Sequence, residues 1–146
     1  LDTLYIYRAL ASQRLSVNIP LGTRLPCHGN ALGRSLLSGL KAPALEQLYL
    51  NVPMDNVPKP QPQSLLELKL RLKEETLQGY AMSRSDFATA MAVPLRNYAN
   101  EVVAAINLSG PDVYMRGDAA QRQVTRALLQ AAADISAELG FRAQKL

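Results

Sequence analysis

Residues 22–40, GTRLPCHGNALGRSLLSGL, are the stretch whose reading decides the fold. Gly22, Pro26 and Gly29 punctuate its first half as a tight turn. Ala31, Leu32, Ser35, Leu36 and Leu40 then recur at helical spacing, which predicts a helix over residues 30–39 with Gly39 near its end. The helix start is crowded with small residues: Gly29, Asn30, Ala31 and Gly33. A helix start carries N–H groups without partners inside the helix, so a small-residue start is a corner an anion can approach closely.

Working outward, the β-branched and aromatic run LYIYRA predicts a strand over residues 2–9, and RLSVNI a second over residues 14–19. Pro20 stops that ladder, and Pro26 keeps a later strand from running on. Beyond the opening stretch, Pro43 suits the first turn of a short helix over residues 44–49. Residues 51–63 hold Pro53, Pro58, Pro60 and Pro62 and read as an irregular surface loop. Ser64 with Glu67 has the pattern of a capping box. The leucines that follow fit both an alternating and a helical pattern, but the cap, the Lys/Glu/Leu content and Gly79 favour a helix over residues 65–78.

Strands are predicted over residues 80–83, 88–95 and 101–109, the last two joined by a hairpin at residues 97–100. Pro94 argues for an edge or a bulge in the middle one. Asp118 with Gln121 reads as a second capping box opening a long helix, with Val124, Leu128, Ile135 and Leu139 as its apolar face and Gly140 as its stop. Strands joined by a tight hairpin are antiparallel, so the pattern predicts an α+β domain, a mostly antiparallel sheet with helices packed on it, and no internal repeat.

A chain of 146 residues is expected to be one domain, residues 1–146, with a core that needs no staples. It begins at Leu1 without a basic-then-apolar leader and reads as a piece of a longer protein. No apolar run approaches the ~20 residues of a membrane helix. A single cysteine, Cys27, excludes a disulfide within the chain and fits a reducing compartment, here the cytoplasm. With one Cys and one His, no metal site is expected. The net charge is +4, but Lys and Arg are scattered and aromatics few, so the chain itself is not read as a nucleic-acid binder.

Catalytic constellations are missing too. Cys27 and His28 are adjacent, and in an extended segment their side chains point in opposite directions. No second His can act as base, and neither a nucleophile elbow nor a phosphate loop nor a dinucleotide fingerprint occurs. His28 reads as a residue that hydrogen-bonds backbone and holds the turn before the helix. What the pattern does offer is a binding cleft. Asn107 and Ser109 share one face of their strand, and Ala88 and Ala90 leave room on one face of theirs. Periodicity alone reads Asn107 equally well as a polar residue on a solvated sheet face.

The chain resembles the effector-binding domain of the IclR family of bacterial transcription regulators. The resemblance rests on GTRLPCHGNALGRSLLSGL, on LQGYAMSRSDF where the family has Gly-Tyr before an acidic stretch, on AMAVPLRNYANEVVAAINLSGP, and on the final helix ending ISAELG. It implies a fold similar to GAF domains, a curved antiparallel sheet flanked by helices with an effector cavity on its concave face. It implies a small organic acid as effector, no cofactor, a homodimer or homotetramer, and DNA contact only through an N-terminal winged helix-turn-helix that is absent from this chain.

Carried over position by position, the resemblance puts the backbone amides of Ala31 and Leu32 at the effector carboxylate. Ser83 falls at the first acidic position, with Asp86 still acidic nearby. Ala88 and Ala90 become cavity walls, the latter where the family often has Cys, and Asn107 and Ser109 match its Ser-x-Ser pair. The run between Phe87 and Ala88 is a few residues shorter than the family's, and the truncated side chains at Ala88 and Ala90 suit a larger or aromatic acid. The alternative is an oligomerisation module with a vestigial cavity.

Overall fold

The computed structural model describes residues 1–10, 12, 16–115 and 117–142. The elements run β1 (Asp2–Leu4), β2 (Arg24–Pro26), a turn of 3-10 helix (Cys27–Gly29), α1 (Ala31–Leu37), α2 (Ala42–Tyr49), α3 (Leu65–Gln78), β3 (Ala81–Arg84), β4 (Ala88–Arg96), β5 (Val102–Pro111), α4 (Asp112–Met115) and α5 (Asp118–Glu138). β1 pairs with β2, and β3, β4 and β5 form a second sheet in that order, every pairing antiparallel. The α+β class stands.

β4 sorts the molecule into layers through its two-residue period. Met91, Val93 and Leu95 point to one face and pack with Leu128 and Ala132 of α5. Ala92 points to the other face and meets Ala31 and Leu32 of α1. A further core joins Leu37 of α1 to Leu45 and Tyr49 of α2 and Leu68 and Leu72 of α3. Small side chains on the α1 face of β4 let the helix start come down onto the sheet, and that approach positions the site.

Local rules explain most boundaries. Asn30 caps α1, its Oδ1 accepting from Gly33 N at 2.8 Å. Ser64 Oγ accepts from Glu67 N, while the Glu67 carboxylate reaches back to Gln63 N at 2.7 Å, one residue before the partner the capping box predicts. Gly79 ends α3 at φ 85°, a left-handed conformation that costs glycine nothing. At the hairpin, Asn97 Oδ1 accepts from Ala99 N and Glu101 N. β3 ends opposite Ala92, so at Pro94 β4 has a neighbour on one side only, and its register shifts at Leu95/Arg96.

Several expectations need correction. β1 stops at Leu4, not at residue 9. The second strand is Arg24–Pro26 and not residues 14–19; residues 14 and 15 lie outside the described residues, and residues 16–19 have no regular structure. The apolar RLSVNI run mimics a strand, but Val17 and Ile19 serve the cleft below instead. The Asp118 cap does not form: Gly117 occupies the cap position and Gln121 Nε2 donates to Met115 O. On α5 the buried stripe is Leu128, Ala132 and Ser136, while Ile135 and Leu139 are exposed. The proline-rich loop is not merely superficial, because Met54, Val57 and Gln61 within it are buried.

Candidate functional site

The sheet brings two rows of small and polar side chains under the start of α1. Ser83, Ala90 and Ser109 lie directly opposite one another across β3, β4 and β5, and Ala81, Ala92 and Asn107 form the next row. Directly opposed residues of an antiparallel sheet share a face. Above these rows lies a cleft of about 210 Å³. Asn30, Ala31 and Leu32 form one wall, and Ser83, Ala88 and Ala90 with Asn107 and Ser109 form the floor. Tyr5, Val17 and Ile19 close it from the N-terminal segment, and Pro58 and Gln61 from the proline-rich loop.

Of the residues expected at the site, Ala31, Leu32, Ser83, Ala88, Ala90, Asn107 and Ser109 all line this cleft. Asp86 does not; it lies in the exposed turn between β3 and β4. Among the described residues, no Asp or Glu lines the cleft. A wider depression of about 590 Å³ runs along α5, but its described lining residues, from Ala119 to Gln130, belong to that one helix, so among the described residues no second element brings polar groups to converge on it.

The hydrogen bonds show which groups are spent. Ala31 N–H, expected to face a ligand, donates to Ser83 Oγ at 3.3 Å. Asn30 is used up by its cap and by donation to Thr3 Oγ1 and Pro26 O. Leu32 N–H has no partner among the described residues. Asn107 Nδ2 donates to Ser109 Oγ at 2.9 Å, which holds both side chains toward one place and leaves the Ser109 hydroxyl proton free to donate. Ser83, whose oxygen accepts from Ala31, is left in the same condition. Arg84, also at the cleft, has no ion pair among the described residues. Burial raises the pKa of the Tyr5 phenol, which therefore stays protonated as a donor at neutral pH.

Behind the cleft lies a network that the sequence reading missed. Arg34, fully buried, meets the Glu75 carboxylate through Nε at 2.9 and 3.0 Å and through Nη2 at 2.9 Å. Its Nη1 donates to His28 O at 3.2 Å and Gln61 Oε1 at 2.8 Å, and its Nη2 to Met82 O at 2.7 Å. All five guanidinium N–H groups are thereby engaged. A signal was available: Glu75 continues the Leu68–Leu72 stripe of α3, and a charge on a buried stripe demands a partner.

His28 is buried, and its ring meets Tyr49 edge-on at 5.8 Å. Neither ring nitrogen nor the Tyr49 hydroxyl has a hydrogen-bond partner among the described residues. The expected backbone anchor is therefore its carbonyl, which Arg34 holds, and not its imidazole. Burial pushes the His28 pKa down; the nearby Met54 backbone and Asn56 side chain oppose this without meeting hydrogen-bond geometry. Burial pushes Tyr49 and the Cys27 thiol up, and Cys27 Sγ accepts from Thr3 Oγ1. A raised thiol and a neutral, enclosed imidazole make no nucleophile and base. No group of metal-ligating side chains occurs among the described residues.

Helices thus lie on both faces of an antiparallel sheet, and a cleft rich in donors lies between one of them and the sheet. Residues 2–137 match the family described as bacterial transcriptional regulator IclR, C-terminal, and the chain belongs to that family. It is 30% identical over 132 residues to the HTH-type transcriptional repressor AllR of Escherichia coli K12, matching 85% of this chain and 46% of the repressor. It thus spans about half the length of such relatives, which are named as regulators and not as enzymes. The Thermotoga maritima IclR structure superposes with a TM-score of 0.85 at 20% identity, over 96% of this chain and 57% of that one. The PobR inducer-binding domain from Acinetobacter, solved with 3-hydroxybenzoic acid, superposes with a TM-score of 0.80 at 20% identity, over 92% and 81%. These two likenesses establish the fold. No described helix is long and apolar enough to cross a membrane.

Proposed function

We propose that residues 1–146 are a single effector-binding domain that takes a small organic acid into the cleft between α1 and the sheet. Ligand occupancy would control DNA binding by a winged helix-turn-helix elsewhere in the protein, in a cytoplasmic homodimer or homotetramer. The observation that carries this reading is the imbalance of the lining. Ser83, Ser109, Asn107, Gln61 and the Leu32 amide offer donors, Arg84 adds a positive charge, and no carboxylate among the described residues opposes them. Such a lining lowers the desolvation penalty of an anion. Ser109 and Asn107 are assigned to the carboxylate, with Leu32 N–H beside them; Ala31 acts through Ser83, and Asp86 is not carried into the site.

The cleft is smaller than the roughly 300–1,000 Å³ of drug-sized sites, which favours a compact acid. Ala88 and Ala90 put only methyl groups on the floor, so aromatic acids stay within the class. Calorimetric titration with pyruvate, glyoxylate, benzoate and 3-hydroxybenzoate tests the reading, with saturable binding of at least one expected. The engagement of Ala31 N–H by Ser83 favours the second reading, an oligomerisation module with a vestigial cavity. Absence of binding and of thermal stabilisation by all four acids would favour that second reading instead.

A further inference from the structure

Gln61 is held at one end of its amide. The residue is 8% exposed and borders the cleft together with Pro58. Its Oε1 accepts from Arg34 Nη1 at 2.8 Å. A guanidinium has donors only, so the end of the amide that faces Arg34 must be the oxygen, and the side chain cannot flip. Arg34 cannot swing away, because Glu75 of α3 and the carbonyls of His28 and Met82 hold its remaining N–H groups. The Gln61 Nε2 group, with two N–H donors, has no protein partner among the described residues.

We propose that Gln61 is a specificity-determining residue that reads a second oxygen on the bound acid. The ligand carboxylate sits against Ser109 and Asn107, and a carbonyl or hydroxyl oxygen elsewhere on the same molecule accepts from Gln61 Nε2. The ligand class is then oxo or hydroxy acids, in preference to acids of the same size without that oxygen. This assignment rests on the acid-binding reading above. Its physical basis is the cost of the empty contact: an acid lacking the second oxygen covers a fixed amide donor without satisfying it, and a site built to hydrogen-bond a ligand rejects analogues that lack the partner.

Matched pairs isolate the effect: pyruvate against propionate, and 3-hydroxybenzoate against benzoate, titrated calorimetrically into the wild-type chain, Gln61→Glu and Gln61→Leu. Gln61→Glu keeps an oxygen for Arg34 and so keeps the loop anchored, while it turns the cleft-facing donor into an acceptor. The wild type should prefer the oxygen-bearing member of at least one pair by about tenfold. That ratio should fall toward one in Gln61→Glu, and in Gln61→Leu if it folds. Acids that bind without preference in either pair, or a preference that survives in Gln61→Glu, would overturn the role of Gln61 and leave the acid site standing. Failure of all four acids to bind would remove both.

Discussion

Two polar clusters meet on α1, and they obey opposite rules. Around Arg34 every donor has an acceptor, drawn from the 3-10 turn, the proline-rich loop, α3 and β3. Around Asn30–Leu32 the donors outnumber the acceptors, and the sheet beneath supplies more donors from Ser83, Asn107 and Ser109. A saturated buried network permits one arrangement of its elements, because any shift strands a charge. An unsaturated one keeps its capacity for a guest. Gln61 belongs to both, with its oxygen in the first and its nitrogen at the second.

The sharpest break of this contrast is Arg34→Met. It leaves the Glu75 carboxylate buried without its partner, a loss of about 3–5 kcal/mol. Urea unfolding followed by circular dichroism should show it as a fall in midpoint. The double variant Arg34→Met with Glu75→Met should recover most of the loss, since a buried pair can give way to packed apolar side chains. A single variant as stable as the wild type would show that the network does not fix the fold.

Gly33→Ala acts where the two clusters join. A Cβ there would lie 2.3 Å from Cys27 O and 2.4 Å from Cys27 Cα, both backbone atoms that cannot step aside cheaply. Overpacking of this kind costs about 1–3 kcal/mol, and melting and ligand affinity should fall together because the helix start is displaced from the sheet. Ser109→Ala touches the cleft alone. Removing its hydrogen bond should weaken binding of the acid by about 0.5–1.5 kcal/mol in calorimetry, with little change in melting temperature. The reverse pattern, lost stability with unchanged affinity, would place Ser109 in the structural class.

How much of this was legible depended on whether the signal was local. Residues 65–78 were readable because cap, composition and terminating glycine all act within one helix. The floor of the cleft was readable because a two-residue period assigns Ala88, Ala90, Asn107 and Ser109 to faces without knowledge of their neighbours. β2 was missed because three residues, Arg24–Pro26, carry too little pattern and gain their strand geometry from β1. Asp86 was placed by resemblance across a shortened run, where no period fixes direction. Gln61 and Arg34 were missed because their roles exist only once α1, α3, β3 and the loop are packed together. A glutamine among prolines reads as surface until a buried guanidinium faces it.

His28 fits neither rule, and it gives the smallest and most specific test. Its carbonyl serves the Arg34 network, yet its ring is buried, has no hydrogen-bond partner among the described residues and lies outside the cleft lining. Burial lowers its folded-state pKa, so the native ring is neutral at neutral pH. In the unfolded chain it takes up a proton near pH ~6.5. Below that value the unfolded state binds a proton that the folded state refuses, so stability should fall as the pH drops through ~6.5 toward the lowered pKa, and level off beneath it. Above ~6.5 the ring is neutral in both states and contributes no slope. This is the chain's single histidine, which makes the assignment clean. His28→Phe keeps an aromatic edge on Tyr49 and removes the titration, so its melting temperature should depend less on pH between about 7.5 and 5.5 than that of the wild type. Equal slopes would mean that the folded protein protonates the ring as readily as the unfolded chain does, and His28 would then need an acceptor and belong with Arg34 in the saturated network.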